Sequence, residues 1–263
     1  MKNLVTNKPT TPTISGVIIE KHENCALCRV DDFTLELQNK IRDELSAVAL
    51  GKAEVAALPE YNNYHTTLRE FLVRYKSKEE DTQKGMIGEL LSHVLIPELF
   101  NNFTSLSVML NKEEQSIKKG FDIIYCDIPQ SALWYSEVKS GHKAKKDSSE
   151  KANHTLVKRA YADLKEKFGE GRASLWRSAL IDVSLTLDAS MAANAKKLLS
   201  NDSPLVSPSI STDKNAILIS VLYEPPSNCY KLNSLKVILD ELLAKKEFKS
   251  LIVFSIQKET FQK

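Results

Sequence analysis

The chain has 263 residues, of which 42% are hydrophobic and 27% charged, and a formal net charge of +2; this is enough to bury a large core in one domain with an accessory part or in two small ones. That charge balance, with a pI near 8.2, is too mild to argue for nucleic acid by itself, so any basic surface must be local. Apolar runs such as Leu251-Ile252-Val253-Phe254 are too short to span a bilayer and the first residues, Met1 to Pro9, hold no apolar signal core, so a cytoplasmic location with no membrane partner is expected.

Residues 1 to about 15 are rich in Thr, Pro and Asn and read as a loose leader, and 17 to 20 as a short strand. The four cysteines stand at 25, 28, 126 and 229, and in a reducing compartment they are expected as free thiols. Cys25 and Cys28 form a lone C-x-x-C with His22 upstream; half a zinc site or a redox pair is the alternative, and it lacks a second ligand pair. From 31 to 57 the apolar residues Phe33, Leu35, Leu37, Ile41, Leu45, Val48 and Leu50 recur at helical spacing, interrupted at Gly51. A second helix over 61 to 76 carries Leu68, Phe71, Leu72 and Tyr75 on one stripe. The first eighty residues thus read as a mainly helical extension, a candidate for docking a partner, and 81 to 263 as the core.

The core begins with a helix over 81 to 100 and continues with strands over 106 to 110, 121 to 128 and 132 to 139, the last two joined by a tight turn at Pro129-Gln130-Ser131. A long helix over 148 to 168 follows, with Leu156, Val157, Ala160, Tyr161, Leu164 and Phe168 on its apolar face. The remainder reads as helix from 174 to 199, loop from 201 to 213, strand from 216 to 223, helix from 232 to 246 and a closing strand from 250 to 256. The expected class is α/β with an α+β mixed sheet.

The chemistry concentrates in Gly120-Phe121-Asp122-Ile123-Ile124-Tyr125-Cys126-Asp127-Ile128 and Leu133-Trp134-Tyr135-Ser136-Glu137-Val138-Lys139-Ser140-Gly141. Side chains alternate across a strand, so Glu137 and Lys139 share a face. Charges inside apolar β-runs are expensive unless paired, metal-bound or catalytic. On adjacent antiparallel strands Asp122 and Glu137 could share one Mg²⁺ (or Mn²⁺), for which carboxylates are the preferred hard ligands. Lys139 could then orient or deprotonate the attacking water and stabilise developing charge. Glu89, in Lys84-Gly85-Met86-Ile87-Gly88-Glu89-Leu90-Leu91-Ser92-His93, could ligate the same metal directly or through water, with His93 behind it or merely packed, while Gly85 and Gly88 let the helix approach the sheet. Each feature alone has a plainer explanation, an exposed ion pair for E-x-K and a helix-forming glutamate for Glu89; their order along the chain is what points to phosphodiester hydrolysis.

Directly after this motif, Lys139 to Arg159 holds seven Lys or Arg against two acids. Lys143, Lys145, Lys146, Lys151, Lys158 and Arg159 could track a phosphate backbone, or form an ordinary solvated face.

At these residues the chain resembles the PD-(D/E)xK nuclease superfamily, with a restriction-endonuclease-like core whose helix bears a glutamate and whose strands bear an aspartate and the (D/E)-x-K. The matching positions are Glu89, Asp122, Glu137 and Lys139, over about 81 to 170. Gly120-Phe121 stands where a proline precedes the aspartate in the motif. More narrowly, the G-x-x-G-E-L-L helix, the G-F-D strand, the S-E-V-K-S-G strand end and the helical leader make the chain similar to the HamA family, nuclease subunits of the Hachiman anti-phage system. That resemblance implies a Mg²⁺-dependent deoxyribonuclease of low sequence specificity and a partner helicase (HamB-like) that restrains it until abnormal DNA is sensed. The alternatives are a restriction or recombination nuclease of the same fold, or a non-catalytic module binding nucleic acid or a partner.

Overall fold

A computed structural model describes residues 14–110, 120–127, 129, 131–169, 173–206 and 210–262. All but the last two residues of the expected leader lie outside these, as do parts of the expected turn at 129–131 and of the loop at 201–213.

Strands β1 (Val17–His22) and β2 (Cys25–Val30) form an antiparallel hairpin in which Ile19 faces Cys28. β2 was not anticipated, because five of its six residues are buried and an interior strand with both faces covered shows no alternation. Thr34 caps helix α1 (Leu35–Leu50), its Oγ1 accepting from the Leu37 N–H at 3.3 Å. Gly51 ends α1 at φ 96°, a conformation that favours glycine, and a Cβ there would also overlap the Leu185 carbonyl. A short α2 (Lys52–Ala57) follows, then α3 (Tyr64–Lys76), where Asn63 Oδ1 accepts from the His65 and Thr66 N–H groups at 3.0 and 3.1 Å.

Helix α4 (Glu80–Leu99) leads into β3 (Phe103–Ser105), β4 (Ile123–Asp127) and β5 (Ala132–Gly141). The strand expected over 106–110 is replaced by three residues just before it. From Val108 onward the backbone leaves the ladder: Met109 and Leu110 donate to the carbonyls of Val48 and Ala49 at the end of α1. Helix α5 (Ser149–Gly169) precedes α6 (Ala173–Thr186) and α7 (Ala189–Asp202), which replace the single helix expected over 174–199. The break falls where Asp188 caps α7, accepting from the N–H groups of Ser190 and Met191. Strand β6 (Asn215–Tyr223), helix α8 (Leu232–Leu243) and strand β7 (Ser250–Lys258) complete the chain.

The seven strands make one mixed sheet in the order β1-β2-β7-β6-β5-β4-β3. Its centre, β2, β7, β6 and β5, is parallel; β1 at one end and β4 and β3 at the other run antiparallel to their neighbours. Helices α5 to α8 cover one face around Leu156, Trp176, Leu218 and Ile238. Helices α1 and α4 cover the other around Leu37, Leu95, Ile219 and Phe254. The fold is thus a mixed α/β sandwich of three layers with eight α-helices among the described residues. Cys25 and Cys28, three apart on β2, fall in opposite layers, so they do not form a joint zinc or redox site. Close packing of α4 is local to Gly88, where a Cβ would overlap Ser140 Oγ and lie 3.2 Å from Val221 Cγ2; Gly85, expected to share this role, faces open space.

Candidate active site

The β4–β5 ladder ends with Ile123 opposite Ser136, while β5 continues to Gly141 on the side of β6. One step past that end, Asp122 stands beside Glu137. The Asp122 carboxylate takes the place of the missing strand, its Oδ2 accepting from the Val138 N–H at 2.7 Å. This part-buried, charge-assisted bond satisfies the strand-end N–H and anchors the aspartate.

Glu137 is only 2% exposed. Its Oε1 accepts from Lys139 Nζ at 2.8 Å, and its Oε2 accepts from Lys167 Nζ. Lys139 also reaches Asp163 Oδ2 at 2.6 Å. Lys167 Nζ lies 3.3 Å from Asp122 Oδ1 as well. Asp163 and Lys167 come from α5, one turn apart, and complete a cluster of three carboxylates and two ammonium groups at the sheet surface.

The electrostatics follow from burial and neighbours. Burial pushes the Glu137 carboxyl up to about 7, the Asp122 charge adds to the rise, and Lys167 and Lys139 oppose it. Burial works against the Lys139 ammonium, but Glu137, Asp163 and Asp122 outweigh it and lift its pKa above the ordinary lysine value. Lys167 is lifted in the same way by Asp122 and Glu137.

Of the residues singled out in the sequence, Asp122, Glu137 and Lys139 therefore meet on the face covered by α5. Glu89 is carried by α4, in the other layer of the fold. Gly88 packs on Ser140, which points to the opposite face from Glu137 and Lys139, so α4 lies against the other side of the sheet. There the half-buried Glu89 sits near Tyr125, whose phenol burial raises strongly and the Glu89 charge raises further. His93 is buried on the same helix, with Nδ1 3.5 Å from Ser105 Oγ. Among the described residues no group of three or more His, Cys, Asp or Glu side chains has the arrangement of a metal site. The donors that fit a divalent cation are the two carboxylates, Asp122 and Glu137, hard oxygen ligands of the kind Mg²⁺ prefers. A cation already bridges them in the form of the Lys167 ammonium.

The basic stretch is divided. Lys143 approaches Glu224 at 3.9 Å, Lys151 pairs with Asp147 at 2.6 Å and Lys158 with Glu241 at 3.0 Å. Lys145, Lys146 and Arg159 are exposed and carry no ion pair among the described residues. Arg159 stands one helical turn before Asp163 and two before Lys167, on the stripe of α5 that borders the cluster.

Fold and cluster together define a mixed α/β protein with a buried carboxylate–lysine centre where an antiparallel hairpin meets a parallel sheet. Among protein families, HamA matches residues 6–263, and the chain belongs to the HamA family, a component of the Hachiman anti-phage system. No curated protein matches it significantly. None of its helices, among the described residues, is long and apolar enough to cross a membrane.

Proposed function

We propose that this HamA-family chain is a metal-dependent deoxyribonuclease, with a PD-(D/E)xK-type site, that acts as the effector of its defence system with little sequence preference. The observation that carries this reading is the meeting of Asp122, just ahead of β4, with Glu137 of β5, with Lys139 bonded to the glutamate. Bound between these carboxylates, Mg²⁺ or Mn²⁺ would supply charge neutralisation at the scissile phosphate and an acidified water. Asp122 and Glu137 hold that place, Asp122 being fixed by the Val138 N–H. Lys139 Nζ, on the same face, orients the attacking water and stabilises the negative charge that builds on the phosphate oxygens. The near-complete burial of Glu137 keeps bulk water from screening these charges. Lys145 and Lys146 in the loop before α5, and Arg159 on the stripe of α5 that borders the cluster, offer unpaired positive charge for the DNA backbone. The family resemblance supports a helicase subunit that holds the nuclease in check until abnormal DNA is sensed.

The experiment is cleavage of supercoiled plasmid and linear DNA by the purified chain, with Mg²⁺ or EDTA, beside Glu137→Ala and Lys139→Ala proteins. Metal-dependent cleavage should fall at least a hundredfold in either variant. Equal rates in parent and variants would reject the proposal, and salt-sensitive DNA binding that survives Glu137→Ala without any cleavage, even with a neighbouring helicase present, would favour a non-catalytic binding module.

A further inference from the structure

Each carboxylate of the pair has one oxygen fixed by the fold. Asp122 Oδ2 holds the Val138 N–H, and Glu137 Oε1 holds Lys139 Nζ. That leaves Asp122 Oδ1 and Glu137 Oε2, and the Lys167 ammonium takes both. Those two oxygens are the ones a divalent ion between the acids would use with the Val138 and Lys139 bonds left intact. Two cations cannot occupy one position, and two positive charges at contact distance repel. Lys167 itself is able to leave: it sits in the last turn of α5, its side chain is 20% exposed, and a lysine stem is long and flexible.

We propose that Lys167 is a built-in counter-cation that occupies the metal position between Asp122 and Glu137, so that ammonium and divalent ion exclude one another and metal enters only as Lys167 withdraws. In this state the acids are neutralised and the centre is closed to metal. The inference rests on the metal site of the proposed nuclease, and it adds a latch that belongs to the chain itself. A partner or a DNA phosphate that draws Lys167 away would open the same latch.

The test is calorimetric titration of the full chain with MnCl₂, which reads metal binding without reference to cleavage. Lys167→Met keeps the stem and removes the charge, and it should bind Mn²⁺ at least tenfold more tightly than the parent. Adding Glu137→Gln to Lys167→Met should abolish that gain. Lys167→Gln, which also removes the charge, replaces the methionine variant if thermal melting shows that it fails to fold. Affinity unchanged or weaker in the neutral variants overturns the latch, as does the absence of Mn²⁺ binding in every protein. Tightened Mn²⁺ binding without DNA cleavage by any variant would reject the nuclease reading and leave the latch standing; metal-dependent cleavage with unchanged affinity would do the reverse.

Discussion

Glu137 is where sequence and environment pull hardest against each other. Its carboxyl titrates near 7, above the ordinary value of 4.5, because burial and Asp122 disfavour its charge. A folded state that holds a proton the unfolded chain has lost is favoured at low pH, so this contribution is present in full below about 4.5 and lost as pH rises through about 7. In chelator, the melting temperature of the parent should therefore decline between pH 5 and 8, and Glu137→Gln, which cannot lose a proton, should flatten that slope; an unchanged slope, measured by calorimetry, would place the titration elsewhere. In the proposed nuclease, Lys145, Lys146 and Arg159 are the residues to test for DNA contact. Replacing all three by alanine should reduce the slope of log K against log salt by about 3, on the basis of about 0.9 per phosphate contact, and fluorescence anisotropy at several salt concentrations measures it. Asp122, Glu137 and Lys139 were legible because charges stand out in an apolar strand. Asp163 and Lys167 were not, because charges one turn apart on an amphipathic helix look like any solvated face; only their position beside the apolar stripe of α5 marked them. Glu89 was legible as an unusual acid, but periodicity alone does not say which layer its helix joins.

The two glycines of α4 make a contrast at the scale of an element. Gly88 lies against Ser140 and Val221, and Gly85 against nothing. Gly88→Ala should lower stability by about 1–3 kcal/mol through overpacking, whereas Gly85→Ala should raise it by up to about 1 kcal/mol through helix propensity; urea unfolding of both variants tests the pair together. Helix existence was readable from apolar spacing throughout the chain. Strands were harder. β2 shows no alternation because both its faces are buried, and the run at 106–110 reads as a strand because its apolar residues are buried, although past Ser105 it has no ladder of its own. The split between α6 and α7 was signalled by Asp188, a capping residue inside an otherwise helical pattern.

At the scale of the molecule, the first eighty residues do more than extend the core. β2 pairs with β7 along six positions, and Leu37 of α1 packs in the same layer as Leu95 and Phe254. Removing residues 1–80 should therefore yield an insoluble or unfolded product, to be judged by circular dichroism and gel filtration; a folded, monomeric remainder would show that the β1–β2 hairpin and α1 are dispensable. The order of the sheet was beyond the reach of sequence, since pairings between strands more than two hundred residues apart leave no local pattern. The last strand, β7, lies in the middle of the sheet, between β6 and β2. During synthesis the β1–β2 hairpin must wait, with its inner edge unpaired, until β7, more than two hundred residues later, has left the ribosome. The sheet that supports the acid–lysine centre therefore closes late, and a chain cut short before β7 would lack the strand that joins β2 to β6, leaving the centre on an open half-sheet.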